Sequence, residues 1–304
     1  MIILGEKYPL AGFEKRIARR QVKRLSVIKT RGVEDEVIIA KLEKALQKNP
    51  QRIVVNLEQK PTNALTQYLT RLDLRGIRFY SFPHFSEKFL KKCFVPIEDE
   101  QLDFLEDVHH FSFLNRILKR SIDLCGAVCL LVLTAPLWPY AAWRVKKESP
   151  GPVFFKQERI GLNGRTFFCY KFRSMHCEGH FDPYTRKQDT RIFPWGQTMR
   201  RLRIDELPQV INVLKGEMSL IGPRTEWSIL VEEYEKEIPY YNERHLVKPG
   251  ITGWAQVNYP YGSGPKDARQ KLMYDLYYIK KWNLWLELQI VAMTLFVVFK
   301  KKGL

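Results

Sequence analysis

Between Ile122 and Trp143 the chain carries a single charge, Asp123, and this apolar run constrains everything around it. As one helix it is just long enough to cross a bilayer. Two features oppose a simple crossing. Pro136 and Pro139 interrupt it, and proline removes a helix donor and clashes with the preceding turn. Both flanks are basic, with Lys119 and Arg120 before the run and Arg144, Lys146 and Lys147 after it, so the positive-inside preference holds both ends on the cytoplasmic side. A helix, a break and a returning helix satisfies both constraints, and a straight single span is the alternative. Backbone broken at that depth needs local partners, for which Thr134 and Ser121 offer hydroxyls. Cys125 and Cys129 share one face and read as apolar filler.

Charge points the same way. A formal net charge of +17 demands an anionic partner, either nucleic acid or an anionic membrane face. A nucleic-acid groove interleaves cations with exposed aromatics. Here the cations bracket apolar segments, including Lys300, Lys301 and Lys302 at the end of the last one, so an anionic membrane is expected and nucleic acid is not. Five cysteines without framework spacing indicate a reducing compartment. Cys169, His176, Cys177 and His180 match no standard zinc spacing. The apolar opening at residues 1–4 ends at Gly5-Glu6-Lys7, too soon for a secretory signal.

Residues 1–105 read as a Rossmann-like α/β domain. Strands are expected at 1–4, 25–29, 52–57 and 77–82, with helices at 35–47 and 63–75, an alternation that predicts a parallel sheet. No glycine-rich phosphate loop follows a strand, so no nucleotide is expected there. The basic run from Lys15 to Arg24 reads as a solvated helix face. Regulation and homodimerisation are candidate roles for this domain. A linker at 106–116 then leads to a re-entrant membrane helix at 117–147 and a catalytic domain at 148–304.

In the last domain a hairpin is expected from strands at 153–156 and 166–172 around Asn163-Gly164, ending in the cations Lys171 and Arg173. Residues 177–188 read as a polar loop. Gly222-Pro223-Arg224-Thr225 is a turn presenting a cation, and residues 248–254 form a rigid loop. Residues 266–299 are helical, their last part an amphipathic helix lying in the membrane interface. At the centre stands Arg203-Ile204-Asp205-Glu206-Leu207-Pro208-Gln209, before a helical run at 210–214. The plain reading is a helix start, with Asp205 as the cap and Pro208 in the first turn. The functional reading is a carboxylate held among arginines where a phosphate would sit, acting as a nucleophile or a metal ligand.

These segments together resemble the bacterial sugar transferases, the monotopic phosphoglycosyl transferases, in their exopolysaccharide-associated branch. The resemblance runs from about Phe113 to the C-terminus. It is carried by Lys119-Arg120-Ser121-Ile122-Asp123, Pro150-Gly151-Pro152-Val153-Phe154, Lys171-Phe172-Arg173-Ser174-Met175, Asp205-Glu206-Leu207-Pro208-Gln209, Gly222-Pro223-Arg224 and Lys248-Pro249-Gly250-Ile251-Thr252-Gly253-Trp254. It implies a mixed α+β monotopic catalytic domain in the cytoplasmic (inner) membrane, facing the cytoplasm. The implied reaction transfers a sugar 1-phosphate from a UDP-sugar to undecaprenyl phosphate with Mg²⁺, through an aspartyl-phosphosugar, releasing UMP. By position Asp205 is then the nucleophile and Glu206 its partner, both near Mg²⁺, while Lys171, Arg173, Arg224 and Asp275 serve substrate and phosphate. The family's Pro-Arg-Pro reads Pro223-Arg224-Thr225 here, which keeps the cation and drops the second ring. A catalytically silent membrane scaffold is the alternative, and retention of Asp205, Glu206 and Arg224 argues against it.

Overall fold

The computed structural model describes residues 1–22, 24–47, 52–95, 108–177, 189–260, 262 and 264–299. The chain divides into two compact units, Met1–Phe94 and Val95–Leu304. Lys23, residues 106–107 of the expected linker, most of the expected polar loop with His180, Tyr261 and Lys300 to Lys302 lie outside the described residues.

The first unit alternates β1 (Ile2–Leu4), α1 (Gly12–Gln21), β2 (Ser26–Ile28), α2 (Asp35–Leu46), β3 (Arg52–Val55), α3 (Asn63–Leu74), β4 (Arg78–Ser81) and the short α4 (Phe82–Phe85). The strands form one parallel sheet in the order β2-β1-β3-β4. Its two faces bury separate clusters, Ile3, Val54 and Phe85 on one side and Ile2, Leu4, Ile53 and Leu42 on the other, as strand alternation requires. Beyond the C-terminal ends of β1 and β3, where the crossovers diverge, Asn56 is buried and bonded to the backbone of the β1 exit. Its amide donates to the carbonyls of Gly5 and Tyr8 and its oxygen accepts from the Tyr8 N–H. Gly5 has φ +99°, and a Cβ there would lie 2.2 Å from the Asn56 carbonyl oxygen.

In the second unit α5 (Phe113–Thr134) starts at Ser112, whose hydroxyl accepts from the Asn115 N–H. Residues 113–116, expected in the linker, are its first turn. α6 (Leu137–Glu148) follows after two residues at a bend of 62°. Among the described residues no single helix is long and apolar enough to cross a membrane, and this bent pair passes that test only together. Thr134 serves the break as expected: its hydroxyl donates to the Leu130 carbonyl and accepts from the Trp138 indole. Ser121 does not, since it bonds the Ile117 carbonyl far from the bend. Pro136 lies at the bend, whereas Pro139 is the third residue of α6, where a helix N–H has no intrahelical partner to lose.

Lys119 and Arg120, expected as membrane anchors, turn inward. Lys119 is buried and donates to Asp123 Oδ1 at 2.9 Å and Glu287 Oε2 at 3.0 Å. Arg120 caps the end of a neighbouring helix by donating to the Val213 and Leu214 carbonyls, which suits a cation at a helix C-terminus. Both instead fasten α5 to the protein, because Lys119, Asp123 and Ala127 lie one turn apart on its buried face. The opposite face exposes Phe113, Leu114, Ile117, Leu118, Leu124, Val128, Val132 and Leu133.

The remainder comprises β5 (Phe154–Ile160), β6 (Thr166–Phe172), α7 (Pro194–Leu202), α8 (Gln209–Lys215), β7 (Ser219–Ile221), α9 (Ser228–Glu237), β8 (Gly250–Thr252), α10 (Trp254–Asn258), α11 (Pro265–Lys280) and α12 (Leu284–Phe299). β5 and β6 pair antiparallel over seven residues each, so β5 extends beyond the expected 153–156. The expected loop at 248–254 contains β8, parallel to β7. α12 has two unlike faces: Glu287 is buried and Thr294 bonds Thr252 on its inner side, while Trp285, Leu288, Val291, Leu295 and Phe296 are exposed on the other.

Glu287 also accepts from Tyr278 and the Trp282 indole, and Asp123 accepts from the Leu220 N–H. One buried network therefore joins α5, β7, α11 and α12. Replacing Lys119 by Met leaves two buried carboxylates uncompensated and should cost about 3–5 kcal/mol. Combining it with Asp123→Asn and Glu287→Gln should restore most of that loss, as read from melting of the detergent-solubilised protein.

Candidate active site

The Asp205-Glu206 pair is presented by a reversal of the chain. α7 begins with Pro194, and the Trp195 N–H is capped by Glu148 Oε2 at 2.6 Å. It lies hard against the exit of β6: a Cβ on Gly196 would sit 2.2 Å from the Ser174 carbonyl oxygen. At its end Arg203 takes a left-handed conformation, φ 60° and ψ 19°. A non-glycine residue held there costs about 1 kcal/mol or more. The turn it creates starts a single 3₁₀ turn, Ile204–Glu206, before α8. Asp205 caps nothing: α8 starts after Pro208 without a side-chain cap, so the plain helix-start reading is corrected.

Asn212, fully buried in α8, bonds the backbone of Phe168 and Tyr170 and pins α8 beside β6. This brings Lys171 to the pair. Glu206 Oε1 accepts from Lys171 Nζ at 3.1 Å and Arg224 Nη2 at 2.9 Å, and Arg203 Nη1 lies 3.6 Å from Oε2. Burial opposes charge on Glu206, yet Arg224, Lys171 and Arg203 hold it well below the usual carboxylate range. Asp205 moves the other way. Burial and the Glu206 anion raise it, against Lys171, Arg200 and Arg203. Its Oδ1 is buried and accepts no hydrogen bond. Two adjacent carboxylates thus differ: one is a fixed counter-ion, the other a more basic group with a buried, unpaired oxygen.

Among the described residues no three His, Cys, Asp or Glu side chains gather as a metal cage. Mg²⁺ is commonly held by one or two carboxylates, with waters and substrate phosphates completing its shell. Asp205 Oδ1 fits such a role, whereas Glu206 Oε1 is already engaged by two cations.

Two other expected site residues lie apart from the dyad's own contacts. Arg173 is buried and spends its guanidinium on Ser149, Pro150 and Pro152, clamping the turn after α6. Asp275 is 1% exposed and pairs at 2.8 Å with Arg244, a residue that the sequence reading missed. Arg244 in turn donates to the Arg224 carbonyl and to Tyr241. Asp275 therefore acts at one remove, by fixing the backbone that carries Arg224. Thr225, in place of the family's proline, restores rigidity by other means: its hydroxyl donates to the Ile160 carbonyl, and Arg159 donates to its own carbonyl.

Burial lifts the Asp275 carboxyl to about 6, against the pull of Arg244. The unfolded carboxyl titrates near 3.9, so between the two values the folded protein binds more protons. This contribution to stability is full below about pH 4 and lost as pH rises through about 6. The stability advantage of wild type over Asp275→Asn should accordingly shrink by about 2–3 kcal/mol from pH 4 to pH 7, measured by denaturant melts across that range.

A relative from Aeromonas hydrophila, the UDP-N-acetylgalactosamine-undecaprenyl-phosphate N-acetylgalactosaminephosphotransferase, is 42% identical over 232 residues, 75% of this chain and 54% of its own. The UDP-glucose:undecaprenyl-phosphate glucose-1-phosphate transferase of Xanthomonas campestris pv. campestris is 46% identical over 191 residues, 61% of this chain and 40% of its own. The undecaprenyl-phosphate galactose phosphotransferase of Salmonella typhimurium is 35% identical over 206 residues, 62% of this chain and 42% of its own. The chain thus spans about half the length of these relatives or less. The family model for the bacterial sugar transferases matches residues 114–301, the stretch that holds the bent helix pair, the Asp205-Glu206 dyad and α12. That match covers more than half of the chain, and the chain belongs to the bacterial sugar transferase family.

Proposed function

We propose that this chain is a membrane-associated enzyme that moves a sugar 1-phosphate from a UDP-sugar to undecaprenyl phosphate and so starts an exopolysaccharide or related glycan. The observation that carries the reading is the division of labour in the dyad, with Glu206 held ionised by Lys171, Arg203 and Arg224 and Asp205 left with an unpaired, more basic oxygen. The names of the relatives support the overall reaction, and they differ in the sugar they carry.

In this mechanism a carboxylate oxygen of Asp205 bonds to the sugar-bearing phosphorus while the bond from that phosphorus to the UMP oxygen breaks. A phosphate oxygen of undecaprenyl phosphate then attacks the same phosphorus and releases the Asp205 carboxylate. Arg224 and Lys171 hold phosphate oxygens, Arg224 through its fork of donors. Their exposure suits this: Arg224 keeps 34% of its side chain accessible and Lys171 18%. Mg²⁺, held by Asp205 and Glu206 Oε2, would neutralise the diphosphate.

The bent pair α5 and α6 enters the cytoplasmic leaflet of the inner membrane and returns, with the catalytic unit on the cytoplasmic face. Exposed Arg116, Lys146 and Lys147 take the anchoring role that Lys119 and Arg120 do not. The outward apolar face of α12 lies in the same interface.

Nucleotide release from a panel of UDP-sugars, with Mg²⁺ and undecaprenyl phosphate, tests the reaction. UMP should appear with one or two sugars, fall on the order of 10³-fold in Asp205→Asn, and vanish on chelation. Acid-quenched wild type should retain labelled sugar phosphate. UDP as the product, or full activity in Asp205→Asn, overturns the reading.

A further inference from the structure

We propose that the first unit binds a phosphate group at the starts of β3 and β4, between Arg52, Arg78 and Lys88 and beside the hydroxyl of Tyr80. The family match begins at residue 114, so it gives this unit no role. Arg52 and Arg78 are direct partners in the parallel β3–β4 ladder, and their side chains leave the same face of the sheet about 5 Å apart. Tyr80, two residues along β4, projects from that face as well. Lys88 returns to it from the π-helical turn Ser86–Leu90 that follows α4, and donates to the Tyr80 hydroxyl at 3.3 Å.

Like charges directly opposite one another destabilise a ladder, and here nothing offsets them. Among the described residues Arg52, Arg78 and Lys88 make no ion pair, and Lys48 to Gln51, just before Arg52, add no acid to the sequence. Ring faces hold two of the cations instead, Arg52 over Phe89 at 5.7 Å and Lys88 over Tyr80 at 5.0 Å. A ring orients a cation without cancelling its charge. The phenol registers the field that results. Burial alone would raise it, yet Lys88, Arg52 and Arg78 draw it below its usual value.

The geometry selects the ligand. Two guanidinium forks and an ammonium suit a tetrahedral group with several anionic oxygens better than the single plane of a carboxylate. The Tyr80 oxygen accepts from Lys88, which leaves its proton for the ligand. Arg78 and Lys88 stay exposed and open to it. Open α/β sheets usually bind ligands at the carboxyl ends of their strands. This site lies at the opposite edge, so its recognition rests on side-chain charge rather than on a helix end.

Hydrogen exchange of residues 78–81, in the whole chain held in phosphatidylcholine nanodiscs, reads this site apart from phosphate bound at the dyad. Inorganic phosphate at about ten times its Kd should slow that exchange about tenfold, and potassium chloride of equal ionic strength should not. Arg52→Gln and Arg78→Gln should each abolish the response, and Arg78→Lys should recover most of it. In low salt without phosphate the two Gln variants should themselves slow exchange, by up to about fivefold, because a like-charged pair is relieved. Lys41→Gln, which removes an exposed cation from α2, should leave both behaviours as in wild type. Phosphatidylglycerol nanodiscs separate the sources. Slowing without added phosphate assigns the site to a lipid headgroup, and slowing only on its addition assigns it to a soluble phosphate. Equal slowing by chloride, an equal loss in Lys41→Gln, or no response to either phosphate source overturns the proposal.

Discussion

The buried ammonium of Lys119 is the contact on which the second unit depends. It reaches Asp123 one turn along its own helix and Glu287 on α12, and those carboxylates accept further bonds from Leu220, Tyr278 and Trp282. A buried ion pair is a poor source of net stability, because desolvation consumes most of the attraction. Its value here is registration. The helix bearing the apolar surface is locked to β7, whose following turn carries Arg224, so that surface and the turn beside the dyad share one frame.

Within that frame two neighbouring acids are treated unequally. Three cations converge on Glu206 and leave Asp205 with an unpaired oxygen. The inequality is maintained from a distance. Asp275 holds Arg244, Arg244 holds the Arg224 carbonyl, and Thr225 ties the next residue to β5. The left-handed Arg203 adds the turn that places both acids on one short 3₁₀ segment.

Local patterns were legible in the sequence. The strands of the first unit fall within two residues of the alternation that marked them, and the break at Pro136 follows from ring chemistry alone. Errors arose where a side chain has two equally good environments. Lys119 and Arg120 beside an apolar run look the same whether they face headgroups or protein, and only Glu287, far along the chain, decides for Lys119. Arg173 follows Lys171 at strand spacing, but β6 ends at Phe172, so the chain has already turned towards Ser149. Arg244 was missed because, apart from Tyr241, its partners are a carbonyl 20 residues back and a carboxylate 31 residues on. For α12 the apolar count was legible, but composition does not say that its few polar groups, Glu287 among them, look inward.

The Lys119–Glu287 bond also imposes a timetable. Its partners lie 168 residues apart, and at typical synthesis rates of about 5–20 residues per second the helix bearing Lys119 emerges roughly ten seconds or more before Glu287. During that interval Lys119 has only Asp123 as an ionic partner, and Arg120 awaits the carbonyls of α8. The ribosome therefore delivers an unfinished membrane element, whose closing bond arrives with almost the last helix. Final seating of α5 waits until translation has passed Glu287 on α12.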